Sequence, residues 1–170
     1  YFKMNNGINV NSEIGKLKSV LLHRPGAEVE NITPDTMKQL LFDDIPYLKI
    51  AQKEHDFFAQ TLRDNGAETV YIENLATEVF EKSSETKEEF LSHLLHEAGY
   101  RPGRTYDGLT EYLTSMSTKD MVEKIYAGVR KNELDIKRTA LSDMAGSDAE
   151  NYFYLNPLPN AYFTRDPQAS

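Results

Sequence analysis

The spacing of apolar residues changes character once in this chain of 170 residues, close to residue 75, and that change limits the folds open to it. Before it, strand-like and helix-like stretches alternate. Ser19-Val20-Leu21-Leu22 is short, partly β-branched and stopped by Arg24-Pro25-Gly26, which predicts a buried strand ending in a turn. A shorter apolar run, Ile8-Asn9-Val10, precedes it. Thr33-Pro34-Asp35 starts a helix, with Thr33 as N-cap, Pro34 in the first position and Asp35 near the positive end of the helix dipole. Met37, Leu40 and Leu41 form its apolar face, and Phe42-Asp43-Asp44 ends it. Pro46 opens a second helix that is expected to bury Leu48, Ala51, His55, Phe58 and Leu62 and to stop at Asn65-Gly66. Residues 68–72 follow as a strand with Val70 and Ile72 on one face. Strand, helices and strand in this order make an α/β unit.

Between about Leu75 and Ala149 every element with a clear period is a helix. Thr86-x-x-Glu89 has the form of a capping box for a helix burying Phe90, Leu91, Leu94 and Leu95 and closed by Gly99. Arg101-Pro102-Gly103 leads to a weaker helix with Leu109, Tyr112, Leu113 and Met116. Ser117-x-x-Asp120 starts another, striped by Met121, Val122, Ile125 and Val129. Residues 132–148 are polar and weakly periodic, and a short helix within loop is expected there. The chain then returns to strand-like residues at Tyr152-Phe153-Tyr154-Leu155, so the helical block reads as a module inserted into an α/β domain.

Composition narrows the partners. A net charge of −8 disfavours nucleic acid, because phosphate binding wants a basic patch. No apolar run is long enough for a membrane span and no signal peptide is visible, so no membrane partner and a cytoplasmic location are expected. The absence of cysteine excludes disulfides and cysteine-based metal sites within these residues. Of the four histidines, His23 at a strand end reads as a hydrogen-bonded structural residue and His55 as a satisfied core residue. His93 and His96 lie three apart on a helix, a spacing that can bind metal, but no acidic or sulfur partner stands at a fitting spacing and they read as solvated or helix-packing residues. No metal and no cofactor are expected.

Residues 156–170 hold the densest chemistry. Pro157 and Pro159 keep the approach extended. Tyr162 and Phe163 read as a short buried strand or loop that carries Arg165 and Asp166 to its rim. A rigid carboxylate beside aromatic rings suits a planar cation such as a guanidinium, and an Arg-Asp pair closing a turn is the alternative.

The run Pro-Asn-x-Tyr-Phe-Thr-Arg-Asp-Pro, residues 159–167, resembles the substrate-aspartate motif of the bacterial arginine deiminases. Two further stretches resemble the same family in its order and near its spacings: Ile14-Gly15-Lys16-Leu17-Lys18-Ser19-Val20-Leu21-Leu22-His23-Arg24-Pro25-Gly26 and Leu40-Leu41-Phe42-Asp43-Asp44-Ile45-Pro46. The resemblance extends from about Ile8 onward. It implies an α/β propeller of five ββαβ units (a pentein) around a substrate pocket, with a helical bundle inserted after the first unit. On that pattern residues 1–7 are a tag scar and N-terminal tail, 8–75 the first propeller unit, 76–149 the inserted helical domain and 150–170 the start of a second, truncated unit.

In such enzymes a cysteine thiolate attacks the guanidinium carbon of L-arginine, a histidine protonates the departing ammonia, and hydrolysis of the amidino-thioether releases citrulline. The resemblance implies that Asp166 is a catalytic, substrate-holding aspartate. It also implies that Asn160 and Phe163 line the substrate's α-amino and alkyl ends, that Leu41 lines the pocket, and that Asp44 stands near its mouth. The family's cysteine, His-x-Asp pair and a further acid lie downstream of this motif. The chain is therefore expected to be the N-terminal part of such an enzyme, to need the remainder of that enzyme as partner, and to be inactive alone. A homo-oligomer is expected from the family. Alternatives are an amidinotransferase or methylarginine hydrolase of the same superfamily, a non-catalytic arginine-binding module and, weakest, a carboxylate-pair hydrolase using Asp43 and Asp44.

Overall fold

The structure, a computed structural model, describes residues 12, 14–37, 42–134, 136 and 152–164. The apolar run Ile8-Asn9-Val10, the apolar positions Leu40 and Leu41, and most of the polar stretch at 132–148 lie outside them, as do Arg165 and Asp166.

The chain is a mixed α/β protein with two small sheets. Strands β1 (Ser19–Leu22) and β2 (Glu68–Tyr71) pair in parallel, from Ser19 opposite Glu68 to Leu22 opposite Tyr71. Parallel pairing needs a crossover, here made by helices α1 (Ala27–Glu30), α2 (Pro34–Met37) and α3 (Leu48–Asp64). Thr33 caps α2 as its sequence requires, its hydroxyl accepting the Thr36 N–H at 3.3 Å. The end of α3 is a Schellman turn: Gly66 adopts φ +80°, its N–H bonds the Arg63 carbonyl at 2.9 Å, and the Ala67 N–H bonds that of Leu62 at 3.0 Å.

Two expectations for this region need correction. Phe58 is 50% exposed and its neighbour Phe57 76%, so α3 buries His55 and Ala59 and leaves a second apolar stripe uncovered. The periodicity was compatible with Phe58 inside because the helix is apolar over an arc wider than the face that packs. Ile72 is not the last residue of β2 but the first of helix α4 (Ile72–Lys82). Strand β1 stops at Leu22, opposite Tyr71, so Ile72 has no rung to pair with, and Leu75, Ala76, Val79 and Phe80 repeat at helical spacing.

Helices α4, α5 (Ser84–Glu97), α6 (Arg104–Thr114) and α7 (Thr118–Ala127) enclose a core of Phe80, Leu91, Leu95, Leu109, Leu113, Met121, Val122 and Ile125. Ser83, rather than Thr86, caps α5, accepting the Thr86 N–H at 3.1 Å. Phe90 is pushed to the rim of this core and packs on Phe80, ring centroids 4.9 Å apart. Gly99 closes α5 in a second Schellman turn, with the buried Tyr100 donating its N–H to the Leu95 carbonyl at 2.9 Å. Ser117 caps α7 as expected.

Val129 does not continue the stripe of α7. Gly128 at φ +82° ends the helix and turns Val129 into strand β3 (Val129–Arg130), antiparallel to β4 (Phe153–Leu155). Tyr154 and Leu155 thereby join the helical core, and the Tyr100 hydroxyl donates to the Tyr154 carbonyl at 2.8 Å. A Cβ at position 128 would lie 2.7 Å from the Leu155 carbonyl oxygen and 2.8 Å from the Pro157 nitrogen. Two contacts then tie this region to α1: Asn31 donates its side-chain N–H to the Ala127 carbonyl at 2.6 Å, and Arg130 Nε donates to Asn31 Oδ1 at 3.2 Å.

Gly128→Ala combines a left-handed backbone with overlap against rigid main chain. The expected loss is about 2–4 kcal/mol, read as a lowered urea midpoint at unchanged slope. An unaltered midpoint would contradict the close approach of β4 to the end of α7.

Candidate functional site

The carboxyl ends of β1 and β2 gather the titratable side chains. His23 and Arg24 leave β1, Tyr71 ends β2, and Glu73 follows in the first turn of α4. His23 is 3% exposed. Its Nε2 lies 3.2 Å from Oε1 of the buried Glu28, a hydrogen bond, and its Nδ1 lies 3.2 Å from Glu73 Oε1. The second contact falls outside hydrogen-bond geometry and acts through charge alone. Burial by itself would lower the pKa of His23, but the bond to Glu28 and the charge of Glu73 outweigh it and raise the value to about 9. Burial raises that of Glu73, yet its contact with His23 and its bond from the Arg24 N–H, at 3.3 Å, bring it below the usual carboxylate range. His23 is therefore an imidazolium at neutral pH, held between two carboxylates. The Tyr126 ring packs against it at 4.7 Å, and burial together with Glu73 and Glu28 pushes that phenol up to about 12.

Each residue of His23-Arg24-Pro25-Gly26 has a part in this corner. The Arg24 guanidinium grips Asp56 of α3 through two bonds of 2.7 and 2.9 Å. The pair is solvent-facing and worth at most about 1 kcal/mol, so its main effect is to orient the strand end. The buried Pro25 accepts the Gln52 side-chain N–H at its carbonyl, 2.9 Å. The Gly26 N–H donates to Glu28 Oε1, and a Cβ there would lie 2.7 Å from Glu28 Oε2. A side chain there would require the end of Glu28 to shift.

The segment carrying the deiminase-like motif docks on the same strand end. Pro159–Tyr162 is a 3₁₀ turn with Pro159 buried and Asn160 exposed, the Phe163 N–H donating to the Asn160 carbonyl at 3.0 Å. Tyr162 and Phe163 are 45% and 47% exposed, which corrects the expected burial. Pro157 and Pro159 lack the N–H groups a ladder would need, so β4 ends at Leu155 and the rings reach an open face. Tyr162 meets His55 edge-on at 6.2 Å, and Phe163 lies 6.5 Å from Phe42. The Thr164 hydroxyl donates to the Leu21 carbonyl of β1 at 2.8 Å. His55 in turn lies 3.3 Å from the Tyr71 hydroxyl, and burial lowers its pKa.

Of the site residues expected from sequence, Asn160 is exposed in the 3₁₀ turn and Phe163 precedes the Thr164 that bonds β1, while Asp44 is exposed and takes the Ile45 N–H at 2.8 Å. Phe42 of the same loop faces Phe163. Leu41 and Asp166 lie outside the described residues. Glu28, Glu73 and Asp56 were not singled out by sequence. Glu28 carried a faint signal, an acid five residues after a strand-end histidine; Glu73 and Asp56 carried none, being distant in the chain. Among the described residues, no three side chains converge as metal ligands and no helix is long and apolar enough to cross a membrane.

Because the folded state binds the His23 proton more tightly than the unfolded chain, its stabilisation is complete below the ordinary value of 6.5 and is lost as pH rises through about 9. Urea midpoints are expected to fall across that interval. Glu73→Gln is expected to move the fall to lower pH, since it removes one of the two charges holding the proton. A midpoint indifferent to pH up to about 10 would contradict the charged state of His23.

The geometry gains a context from known proteins. A family model described as arginine deiminase matches residues 38–170. The chain is 99% identical over 167 residues to the arginine deiminase of Lactococcus lactis subsp. cremoris (strain MG1363), covering 98% of this chain and 41% of that protein. It is 60% identical over 167 residues to the arginine deiminase of Latilactobacillus sakei subsp. sakei (strain 23K), covering 98% and 40%. To that of Limosilactobacillus reuteri (strain DSM 20016) it is 56% identical over 166 residues, with the same 98% and 40% covered. The chain spans about two fifths of the length of these curated relatives. With the matched region embracing the loop at Phe42, helices α3 to α7 and the motif at residues 159–167, the chain belongs to the arginine deiminase family.

Proposed function

We propose that this chain is the N-terminal part of an enzyme that hydrolyses L-arginine to L-citrulline and ammonia. The observation that carries the proposal is the family match across residues 38–170, which takes in the whole run from Asn160 to Asp166. Near-identity to one curated arginine deiminase over almost the full chain supports it, and favours this reading over an amidinotransferase or methylarginine hydrolase.

In this reading Asp166 binds the substrate guanidinium through charge-assisted hydrogen bonds, orienting its carbon for attack and keeping the group cationic and electrophilic. Phe163 lies along the alkyl chain of the substrate and Asn160 faces its α-amino end, with Leu41 and Asp44 at the wall and mouth of the pocket. The half-exposed rings of Tyr162 and Phe163 suit this role, because such rings are available to cover an alkyl-guanidinium. The thiolate nucleophile, which forms the covalent amidino intermediate, and the histidine acid come from the part of the enzyme that follows the motif. The chain contains no cysteine, so it is inactive by itself.

The fold proposed for the whole is the five-unit ββαβ propeller, with residues 8–75 in the first unit, 76–149 as an inserted helical bundle and 150–170 opening the second. The parallel β1–β2 pair, the helical core and the return of the chain at β4 are compatible with that order. A cytoplasmic homo-oligomer acting in arginine catabolism completes the reading.

The test is citrulline release from L-arginine by this chain and by the full-length protein, side by side. Turnover is expected only in the longer protein, and Asp166→Ala there is expected to remove it almost completely, by at least about a thousandfold for loss of a desolvated charge partner. Turnover by the 170-residue chain alone, or full activity in the Asp166→Ala enzyme, would overturn the proposal.

A further inference from the structure

We infer that Thr164 is a positioning residue for the substrate-binding aspartate, hooking the motif onto the end of β1 through its hydroxyl. This rests on the reading of Asp166 given above and adds to it a residue that the family motif by itself leaves without a role.

Residues 155–164 leave β4, pass two prolines and a 3₁₀ turn, and reach β1 from far away in sequence. Contacts with α3, with the loop at Phe42 and with β1 hold their end among the described residues. Tyr162 meets His55 edge-on and Phe163 approaches Phe42, both through ring surfaces that tolerate sliding. The third is directional: Thr164 Oγ1 donates to the Leu21 carbonyl at 2.8 Å across 143 positions of sequence. A hydrogen bond of this length fixes distance and angle together, which stacked rings do not. Two peptide units span at most about 7 Å, so whatever fixes Thr164 also restricts where Asp166 can be. Guanidinium recognition needs that restriction, since a displacement of about 1 Å can cost roughly a hundredfold in rate.

The accepting strand is itself rigid. Leu21 pairs with Val70 in the parallel sheet. Two residues later His23 sits between Glu28 and Glu73, and Arg24 holds Asp56. The hydroxyl therefore connects the motif to an element anchored to α1, α3 and α4. A valine is close to threonine in shape and keeps the packing while removing the donor. Serine keeps the donor while removing the methyl group. The two substitutions separate the hydrogen bond from the space the side chain fills.

The experiment compares Thr164→Val, Thr164→Ala, Thr164→Ser and Asp166→Ala with the unaltered full-length enzyme, measuring kcat and KM for L-arginine together with the thermal midpoint. Thr164→Val and Thr164→Ala are expected to lower kcat/KM roughly ten- to a hundredfold while the thermal midpoint stays within about 3 °C; Thr164→Ser is expected to stay within about threefold of the unaltered enzyme. Unaltered kinetics in both Thr164→Val and Thr164→Ala, or losses in Thr164→Ser as large as theirs, would overturn the inference. Should Thr164→Val fail to fold, Thr164→Ala, which adds no bulk, decides the same question. If Asp166→Ala turns over arginine normally, the reading of Asp166 fails; if it is inactive and both Thr164 variants are normal, only the role of Thr164 fails.

Discussion

A protonated histidine ring shut between two carboxylates is the interaction on which this end of the molecule depends. His23 joins three elements: it directly follows β1, bonds Glu28 on α1 and faces Glu73 on α4. A buried ion is expensive unless its charge is met on all sides, so these elements cannot drift apart singly. The cluster holds one positive and two negative groups. Tyr126, contributed by α7, closes over the ring as a neutral phenol, and the Arg24 main-chain N–H supplies a further donor to Glu73. The turn at Gly26, the bond to Asp56 and the capture of Gln52 by Pro25 then follow from keeping His23 where it is.

That corner does not resemble a reaction centre. His23 is enclosed, and its raised pKa makes it a poor base near neutral pH. Its consequence is mechanical. A rigid strand end offers the Leu21 carbonyl as a fixed acceptor, and the segment with Tyr162, Phe163 and Thr164 docks against it beside His55. Residues 162–164 are thus held near the carboxyl end of a parallel strand, where open α/β sheets commonly place ligands.

Local patterns in the sequence located most of the elements. The caps at Thr33 and Ser117 and the Schellman turns at Gly66 and Gly99 are one-turn interactions, decided by residues adjacent in the chain. Helical periods foretold α3 and α5 to α7 but gave no helix at α4, and they erred where a period is ambiguous: Ile72 fell to α4 because β1 had ended, and Val129 fell to β3 because Gly128 turned the chain. Phe58 went outward because a wide apolar arc does not say which half will be covered. The structural roles of His23 and His55 were legible from residue type and position; their partners were not.

The sequence by itself determined the family, the capped helix ends and the motif from Asn160 to Asp166, since each depends on which residues stand next to one another. Tertiary structure alone decided that Glu73 would meet His23, that Asp56 would take Arg24, and that Thr164 would bond Leu21 across 143 positions. Those pairings hold because the parallel sheet and the crossover through α3 bring distant side chains within a few ångströms. Separation along a chain carries no record of such closeness until the chain has folded.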